Sequence, residues 1–120
     1  MKKHCILVSG STVAIDEELV DELQKSAKVL KNTDNNQVEA IISERKVDLI
    51  LFEISKDHFS EVEIIKSVKT RFPNIEILLI NGNQDRELTA KAFSYGAKDA
   101  FRKPYKSPLI VERVNALLGR

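Results

Sequence analysis

The sequence is poor in the residues that most often reveal a function by themselves. Its 120 residues include one cysteine, two histidines, no tryptophan, four glycines and three prolines. A single cysteine excludes an internal disulfide, and together with two histidines it gives no spacing typical of a zinc site. The cysteine, Cys5, lies in the apolar run at residues 5–8, so we expect it to be a buried structural thiol.

Net charge and the length of the apolar runs exclude two further classes of partner. The 19 basic and 18 acidic residues leave a net charge of +1, which gives no electrostatic case for binding nucleic acid or an anionic membrane. The apolar run near the chain start is too short for a signal peptide or a membrane span. We therefore expect a cytoplasmic protein in which this domain contacts neither nucleic acid nor membrane.

The composition is typical of a soluble globular domain. Apolar residues make up 42% of the chain and charged residues 31%, and no low-complexity tract interrupts it. A chain of this length can bury a single hydrophobic core, so we expect one domain.

Strand-like apolar runs alternate with amphipathic stretches along the whole chain. The runs at residues 47–54 and 75–80 are nearly continuous and predict central strands that are covered on both faces. Shorter runs predict three further strands, at residues 6–8, 29–30 and 100–102. Helical spacing fills the intervals, and Ser107 before Pro108 predicts the N-cap of the last helix. This alternation predicts an α/β fold with a doubly wound parallel sheet and helices on both faces.

Two segments carry a resemblance to a known family. Residues 48–54, Asp-Leu-Ile-Leu-Phe-Glu-Ile, have the form of a buried strand that presents an acid at its carboxyl end. Residues 95–105 read Tyr-Gly-Ala-Lys-Asp-Ala-Phe-Arg-Lys-Pro-Tyr. Both resemble the CheY-like receiver domain of response regulators in two-component signal transduction, and the resemblance extends over the whole chain. It implies a flavodoxin-like sheet of five strands in the order 2-1-3-4-5 and a single receiver-like domain at residues 1–120 without an output domain.

The resemblance also implies a phosphorylation site at the carboxyl ends of the strands. In a receiver, an acidic pair and an acceptor aspartate hold Mg²⁺, and the aspartate attacks a phosphoryl group. A lysine neutralises the developing charge, a Thr or Ser contacts the phosphoryl oxygen, and an aromatic residue on the fifth strand turns inward in response.

This chain departs from that pattern at almost every chemical position. Glu53 replaces the acceptor aspartate, and Ser9 and Gly10 replace the acidic pair. Asn81 replaces the Thr or Ser, and Ala100 replaces the aromatic residue. The residues at 55–61 lack the usual Met-Pro-Gly. Only the pair Lys103 and Pro104 remains, and the family implies a cis peptide bond between them.

These departures predict a pseudo-receiver, which is not an enzyme and has no metal or cofactor. We expect it to act independently of phosphorylation, through protein–protein interaction. Two alternatives stay open. In the first alternative, Glu53 is still phosphorylated. Its longer side chain would displace the carboxylate, however, and misplacing a reacting group by about 1 Å can cost ~10²-fold in rate. In the second, residues 9–12 and 81–83 bind a small phosphate or nucleotide ligand.

A specific hypothesis concerns the two charged residues that remain at the site. We expect Glu53 to pair directly with Lys103, since the ends of their strands should be neighbours around the first strand. The amide of Asn81 is a further candidate donor to the same carboxylate. Such a pair would hold one fixed conformation without necessarily adding stability.

The surface formed by the fourth helix, fifth strand and fifth helix is the partner face that the resemblance implies. Its candidate contact residues are Arg86, Lys91, Phe101, Arg102, Tyr105 and Arg113. The same face carries the acidic residues Glu87, Asp99 and Glu112, and such mixed signs of charge suit a protein partner or a weak homodimer. Ala100 should leave a pocket behind this face into which a partner side chain could insert.

Overall fold

The sheet contains five parallel strands in the order β2-β1-β3-β4-β5. This computed structural model describes residues 3–54, 59–81 and 85–119. The strands are β1 at Cys5–Ser9, β2 at Lys28–Asn32, β3 at Leu49–Ile54, β4 at Glu76–Asn81 and β5 at Asp99–Arg102. The predicted fold class and strand order are therefore confirmed. Parts of the two loops considered above, residues 55–58 and 82–83, lie outside the described residues.

Five helices connect the strands and cover the sheet. They are α1 at Glu17–Gln24, α2 at Val38–Glu44, α3 at Phe59–Arg71, α4 at Arg86–Ser94 and α5 at Ser107–Leu117. Asp16 caps α1 by accepting from the Leu19 amide at 3.2 Å, and Asp85 caps α4 in the same way. The predicted cap of α5 was one residue late, because Lys106 is its N-cap and Ser107 already lies in the helix. No described helix is both long and apolar enough to cross a membrane.

The core has two layers because the side chains of each strand alternate between the two faces of the sheet. Leu7, Ile50, Phe52 and Leu79 pack against α2, α3 and α4. The residues between them on the same strands pack against α1 and α5; they include Ile6, Val8, Leu49, Leu51, Leu78 and Ile80. All residues of β3 and all but the first residue of β4 are buried, as their nearly continuous apolar runs predicted. The residues of β1 are buried as well.

This alternation decides where the polar residues at the strand ends point. Glu53 follows Leu49 and Leu51 on the face of β3 that packs against α1 and α5. Ser9 falls on the opposite face of β1, with Cys5 and Leu7. Since all strands are parallel, these residues gather at one edge of the sheet together with Asn81 and the turn after β5.

We predict that Phe52→Ala lowers the free energy of unfolding by about 3–5 kcal/mol, because it opens a cavity at the centre of the sheet. Phe52 is 1% exposed and is among the largest fully buried side chains. Leu109, which is 56% exposed, supplies the control: Leu109→Ala should change that free energy by less than about 0.5 kcal/mol. Urea unfolding measures both, and equal losses would contradict the assignment of Phe52 to the core.

Candidate functional site

The carboxylate of Glu53 is buried at the carboxyl edge of the sheet and accepts four hydrogen bonds. Its Oε1 accepts from the backbone amides of Thr12 at 2.9 Å and Val13 at 3.0 Å. Its Oε2 accepts from the Thr12 hydroxyl and from the Lys103 ammonium. A carboxylate offers about four lone-pair sites, so these donors use its whole acceptor capacity. The side chain has no exposed surface, and a buried charge of this kind is tolerated only when it is paired and hydrogen-bonded.

The ion pair that we expected between Glu53 and Lys103 is present. Its geometric reason differs from the expected one, because β4 separates β3 from β5 in the sheet. Lys103 lies in the turn after β5, and the peptide bond to Pro104 is cis, as the resemblance implied. The long lysine side chain therefore reaches across the end of β4 to the carboxylate, where it also donates to the Thr12 hydroxyl.

The amide of Asn81 is directed toward the start of α4. Its Nδ2 donates at 3.0 Å to the Asp85 carbonyl and also to the Thr89 hydroxyl. Because a side-chain amide nitrogen carries two hydrogens, these two bonds use its donor capacity. The suggested donation from Asn81 to the Glu53 carboxylate is therefore not what this geometry provides, and Asn81 instead ties the end of β4 to α4.

Gly10 provides the space that the longer side chain of Glu53 requires. A Cβ atom added at Gly10 would lie 2.3 Å from the Glu53 Cβ and 2.4 Å from its Oε1. The backbone φ of Gly10 is +148°, which residues with a side chain rarely adopt. The carboxylate of Glu53 thus fills the space where a side chain at this position would stand. An acid at position 10 and a glutamate at position 53 are mutually exclusive in this geometry.

Ser9 belongs to a second polar cluster, which the sequence analysis missed. Its hydroxyl donates to Asn35 Oδ1 at 2.6 Å and accepts from Asn32 at 2.9 Å. Asn35 is 7% exposed and donates in turn to the Glu53 backbone carbonyl at 2.8 Å and to a Glu61 carboxylate oxygen at 2.6 Å. Asn35 therefore joins the ends of β1 and β3 to the first turn of α3. It stands in a run of polar residues at 32–36 that reads as an ordinary loop, so only its neighbours in space reveal its role.

Two opposing effects determine the pKa of Glu53. Burial acts to raise it, but the hydrogen bonds from Lys103, the Thr12 hydroxyl and the amides of Val13 and Thr12 together hold the pKa below the ordinary value of 4.5. The carboxylate is therefore ionised at neutral pH.

Tyr105 makes a second contact between the turn after β5 and the start of α1. Its hydroxyl donates to the Asp16 carboxylate. Burial, that hydrogen bond and the negative charges of Asp16, Glu53 and Glu18 raise the pKa of Tyr105 well above its ordinary value. The hydroxyl thus remains a donor, and Tyr105 is engaged within the domain although it was predicted as a partner contact.

The residues present do not fit the Mg²⁺ ion that the fold family implies. Mg²⁺ prefers several oxygen ligands in octahedral geometry. Gly10 offers no side chain, the Ser9 hydroxyl is held by two asparagines, and the Glu53 carboxylate has its acceptor sites taken. Among residues 3–54, 59–81 and 85–119, no three His, Cys, Asp or Glu side chains are placed to hold a metal ion.

The loop at residues 9–12, suggested above as a phosphate cradle, already binds an anion from its own chain. The amides of Thr12 and Val13 point at the Glu53 carboxylate. An external phosphate would have to displace that carboxylate from both amides. The contact that would recognise an anion is thus made internally.

The predicted partner-face residues fall into two groups. Arg86, Phe101 and Arg102 line a pocket between α4 and β5, together with Ala100. Lys91 lies over the Phe59 ring at 5.3 Å and within 4.0 Å of Glu63, so it faces α3. Arg113 pairs with Asp99 at 3.2 Å. Only the first group surrounds the pocket that Ala100 was expected to leave.

Comparison with known proteins agrees with the resemblance to receiver domains. The family model for the response regulator receiver domain matches residues 12–115. The chemotaxis protein CheY of Thermotoga maritima is 25% identical over 112 residues, which cover 92% of this chain and 93% of CheY. The cell cycle transcriptional regulator CtrA of Caulobacter vibrioides is 25% identical over 73 residues, or 61% of this chain and 32% of CtrA. The chain thus matches about a third of the length of CtrA.

A solved structure has the same fold. The BeF3-activated receiver domain of DrrB, an OmpR/PhoB homologue from Thermotoga maritima, has a TM-score of 0.84 to this chain at 22% identity. The similarity covers 99% of this chain and 100% of that domain. At this level of identity the likeness concerns the fold.

We predict that Gly10→Ala destabilises the domain more than Gly119→Ala does. Both glycines have a positive φ, but a Cβ at Gly119 would meet nothing within 4 Å, so the second variant isolates the backbone cost. That cost is about 1–3 kcal/mol, and Gly10→Ala adds the displacement of Glu53. Urea unfolding measures both losses. Equal losses would show that Gly10 is required only for its backbone conformation.

We also predict that the contribution of Glu53 to stability disappears in acid. A carboxyl group whose folded pKa is depressed stabilises the fold fully above its unfolded pKa, here about 4.5, and that contribution is lost as the pH falls through the folded pKa. The difference in free energy of unfolding between wild type and Glu53→Gln should therefore be largest near neutral pH and shrink below about pH 4.5.

The control for this titration is Glu22→Gln, which removes an exposed carboxylate paired with Lys25. Exposed pairs contribute little, so this variant should follow the wild-type pH curve. A Glu53→Gln difference that does not depend on pH would contradict the role of the ionised carboxylate.

Proposed function

Because this chain belongs to the response regulator receiver domain family, we propose that it is a pseudo-receiver, a two-component signalling module that acts without being phosphorylated. The observation that supports this is the complete use of the Glu53 carboxylate by donors of the same chain. In this proposal the module is not an enzyme, and its output is a protein–protein contact.

The hydrogen bonds of Glu53 argue against phosphoryl transfer to it. To attack phosphorus, a carboxylate oxygen must present a lone pair toward the incoming group in line with the leaving group. Oε1 is held by two backbone amides and Oε2 by Thr12 and Lys103, so attack requires breaking these bonds inside a buried site. The charge that Lys103 would neutralise on a phosphoryl group is replaced by the charge of Glu53 itself.

The same contacts suit a module that remains in one conformation. Glu53 connects β3 to the loop after β1 and, through Lys103, to the turn before α5. Tyr105 and Asp16 repeat that connection two residues later. We infer that the surface of α4, β5 and α5 is presented permanently to a protein partner. A homodimer through this surface is the second form that such a contact could take.

The retained Lys103 favours residual phosphorylation at Glu53. A single experiment separates this alternative from the proposal. Amide NMR spectra of the domain are recorded while Mg²⁺ is added to millimolar concentration and beryllofluoride, an analogue of the phosphoryl group, is added next. The receiver domain of DrrB, which forms a BeF3-activated state, serves as the positive control.

We predict no saturable shifts at Glu53, Asn81 or Lys103 of this chain under conditions in which DrrB responds. The physical reason is that the carboxylate has no lone pair left for a metal or for fluoride-bound beryllium. Saturable shifts that begin at these residues and spread to α4 and β5 would contradict the proposal and support phosphorylation at Glu53.

A further inference from the structure

A pocket of about 390 Å³ opens between α4 and β5. Ala90 and Phe93 line it from the helix, and Ala100 and Phe101 line it from the strand. Its volume lies within the range of about 300–1,000 Å³ that is usual for sites that bind a small group. One lining residue on the helix and one on the strand are alanines, and their small side chains leave space that larger ones would fill.

The apolar walls of the pocket are accessible from solvent. Phe93 is 43% exposed and is one of the few large apolar side chains in the described chain that are so open. Asn81 and Thr89, which are hydrogen-bonded to each other, also line the pocket. The result is an apolar recess with two polar side chains in its lining, and its volume of about 390 Å³ is large enough for one aromatic side chain.

Two arginines stand at the rim of this recess. Arg86 begins α4 and Arg102 ends β5, and both are exposed. Neither guanidinium has an ion-pair or hydrogen-bond partner within the part of the chain that the structure describes. No acidic side chain from that part lines the recess. The rim is therefore positive, and guanidinium groups in pairs are well suited to bind carboxylates in a bidentate manner.

The edge of the sheet beside the recess is partly protected against strand addition. β5 is an edge strand, and the Ala100 amide donates to the side chain of Asp99 at 2.8 Å. An amide that is already bonded cannot pair with the backbone of an incoming strand. Side-chain insertion therefore fits this surface better than the extension of the sheet.

We propose that the recess binds an aromatic side chain from an acidic segment of a partner protein, with Arg86 and Arg102 holding carboxylates on either side of it. The inference rests on the proposed function, because it names the chemistry of the partner that the α4–β5–α5 surface would contact. Charge complementarity and the apolar lining of the recess carry it. Aromatic residues in desolvated pockets, flanked by polar contacts, dominate binding at many interfaces.

Three labelled peptides test the proposal by fluorescence anisotropy. The first has the sequence Gly-Asp-Glu-Phe-Glu-Asp-Gly, the second has Ala in place of Phe, and the third has Asn and Gln in place of Asp and Glu. The first peptide should bind at least about tenfold more tightly than either of the others, because each lacks one of the two features that the site recognises. Binding of the first should weaken with added salt, which screens the arginine contacts.

Variants of the domain locate the binding. Arg86→Gln and Arg102→Gln should each weaken the first peptide by roughly tenfold and leave the third peptide unchanged. Ala90→Leu adds a larger side chain at an exposed position of α4 and should block the recess without unfolding the domain. Lys31→Gln, on the distant strand β2, is the matched charge control and should have no effect.

The measurement is made with and without Mg²⁺ and beryllofluoride, so that the two proposals can fail separately. Equal binding of the first peptide in both conditions supports the recess and its independence from phosphorylation. Binding that requires beryllofluoride supports the recess but overturns the pseudo-receiver proposal. Equal affinity for all three peptides, or wild-type affinity in Ala90→Leu, overturns the recess as the binding site. A different result would be that no peptide binds, while the wild-type domain associates with itself and Ala90→Leu does not. The occupant of the recess would then be a second copy of the chain, and the acidic partner would be ruled out.

Discussion

A buried carboxylate must be neutralised by its surroundings, and this requirement on Glu53 organises the whole functional edge of the domain. Burial disfavours the charged form, so the site supplies two backbone amides, a hydroxyl and an ammonium group. Those donors come from the loop after β1 and the turn after β5. Satisfying one charge on β3 therefore fixes the position of two other segments, and with them the way in which β5 and α5 are presented.

The side chain of Glu53 is one methylene group longer than the aspartate that a receiver carries at this position. The longer side chain of Glu53 carries its carboxylate against Gly10, into space that a side chain at that position would occupy. A Cβ atom at position 10 would collide with both the Cβ and the carboxylate of Glu53, so in this geometry Glu53 is compatible with a glycine there and not with an acid. With glycine at position 10 and glutamate at position 53, the site lacks carboxylate ligands for Mg²⁺ and contains an internal anion that pairs with Lys103.

The internal ion pair is better understood as a device for specificity than as a source of stability. The desolvation of two charges offsets much of their attraction, so a buried pair need not stabilise a fold. Breaking it is costly, however, and this makes the turn at Lys103 and Pro104 difficult to rearrange. A rigid turn suits a partner surface that does not change, and the recess beside Ala100 lies on the strand that leads directly into this turn.

The sequence alone determined the succession of strands and helices along the chain and the burial of β3 and β4, because apolar runs and helical spacing are local properties of the chain. The family resemblance supplied the strand order and the importance of Glu53 and Lys103. The ion pair with Lys103 was expected, but only the tertiary structure revealed the donors from Thr12 and Val13, which are 41 and 40 positions from Glu53 in the chain. Asn35 and the space at Gly10 remained hidden for the same reason: a hydrogen-bond partner or a steric limit is defined by neighbours in space, which no local pattern encodes.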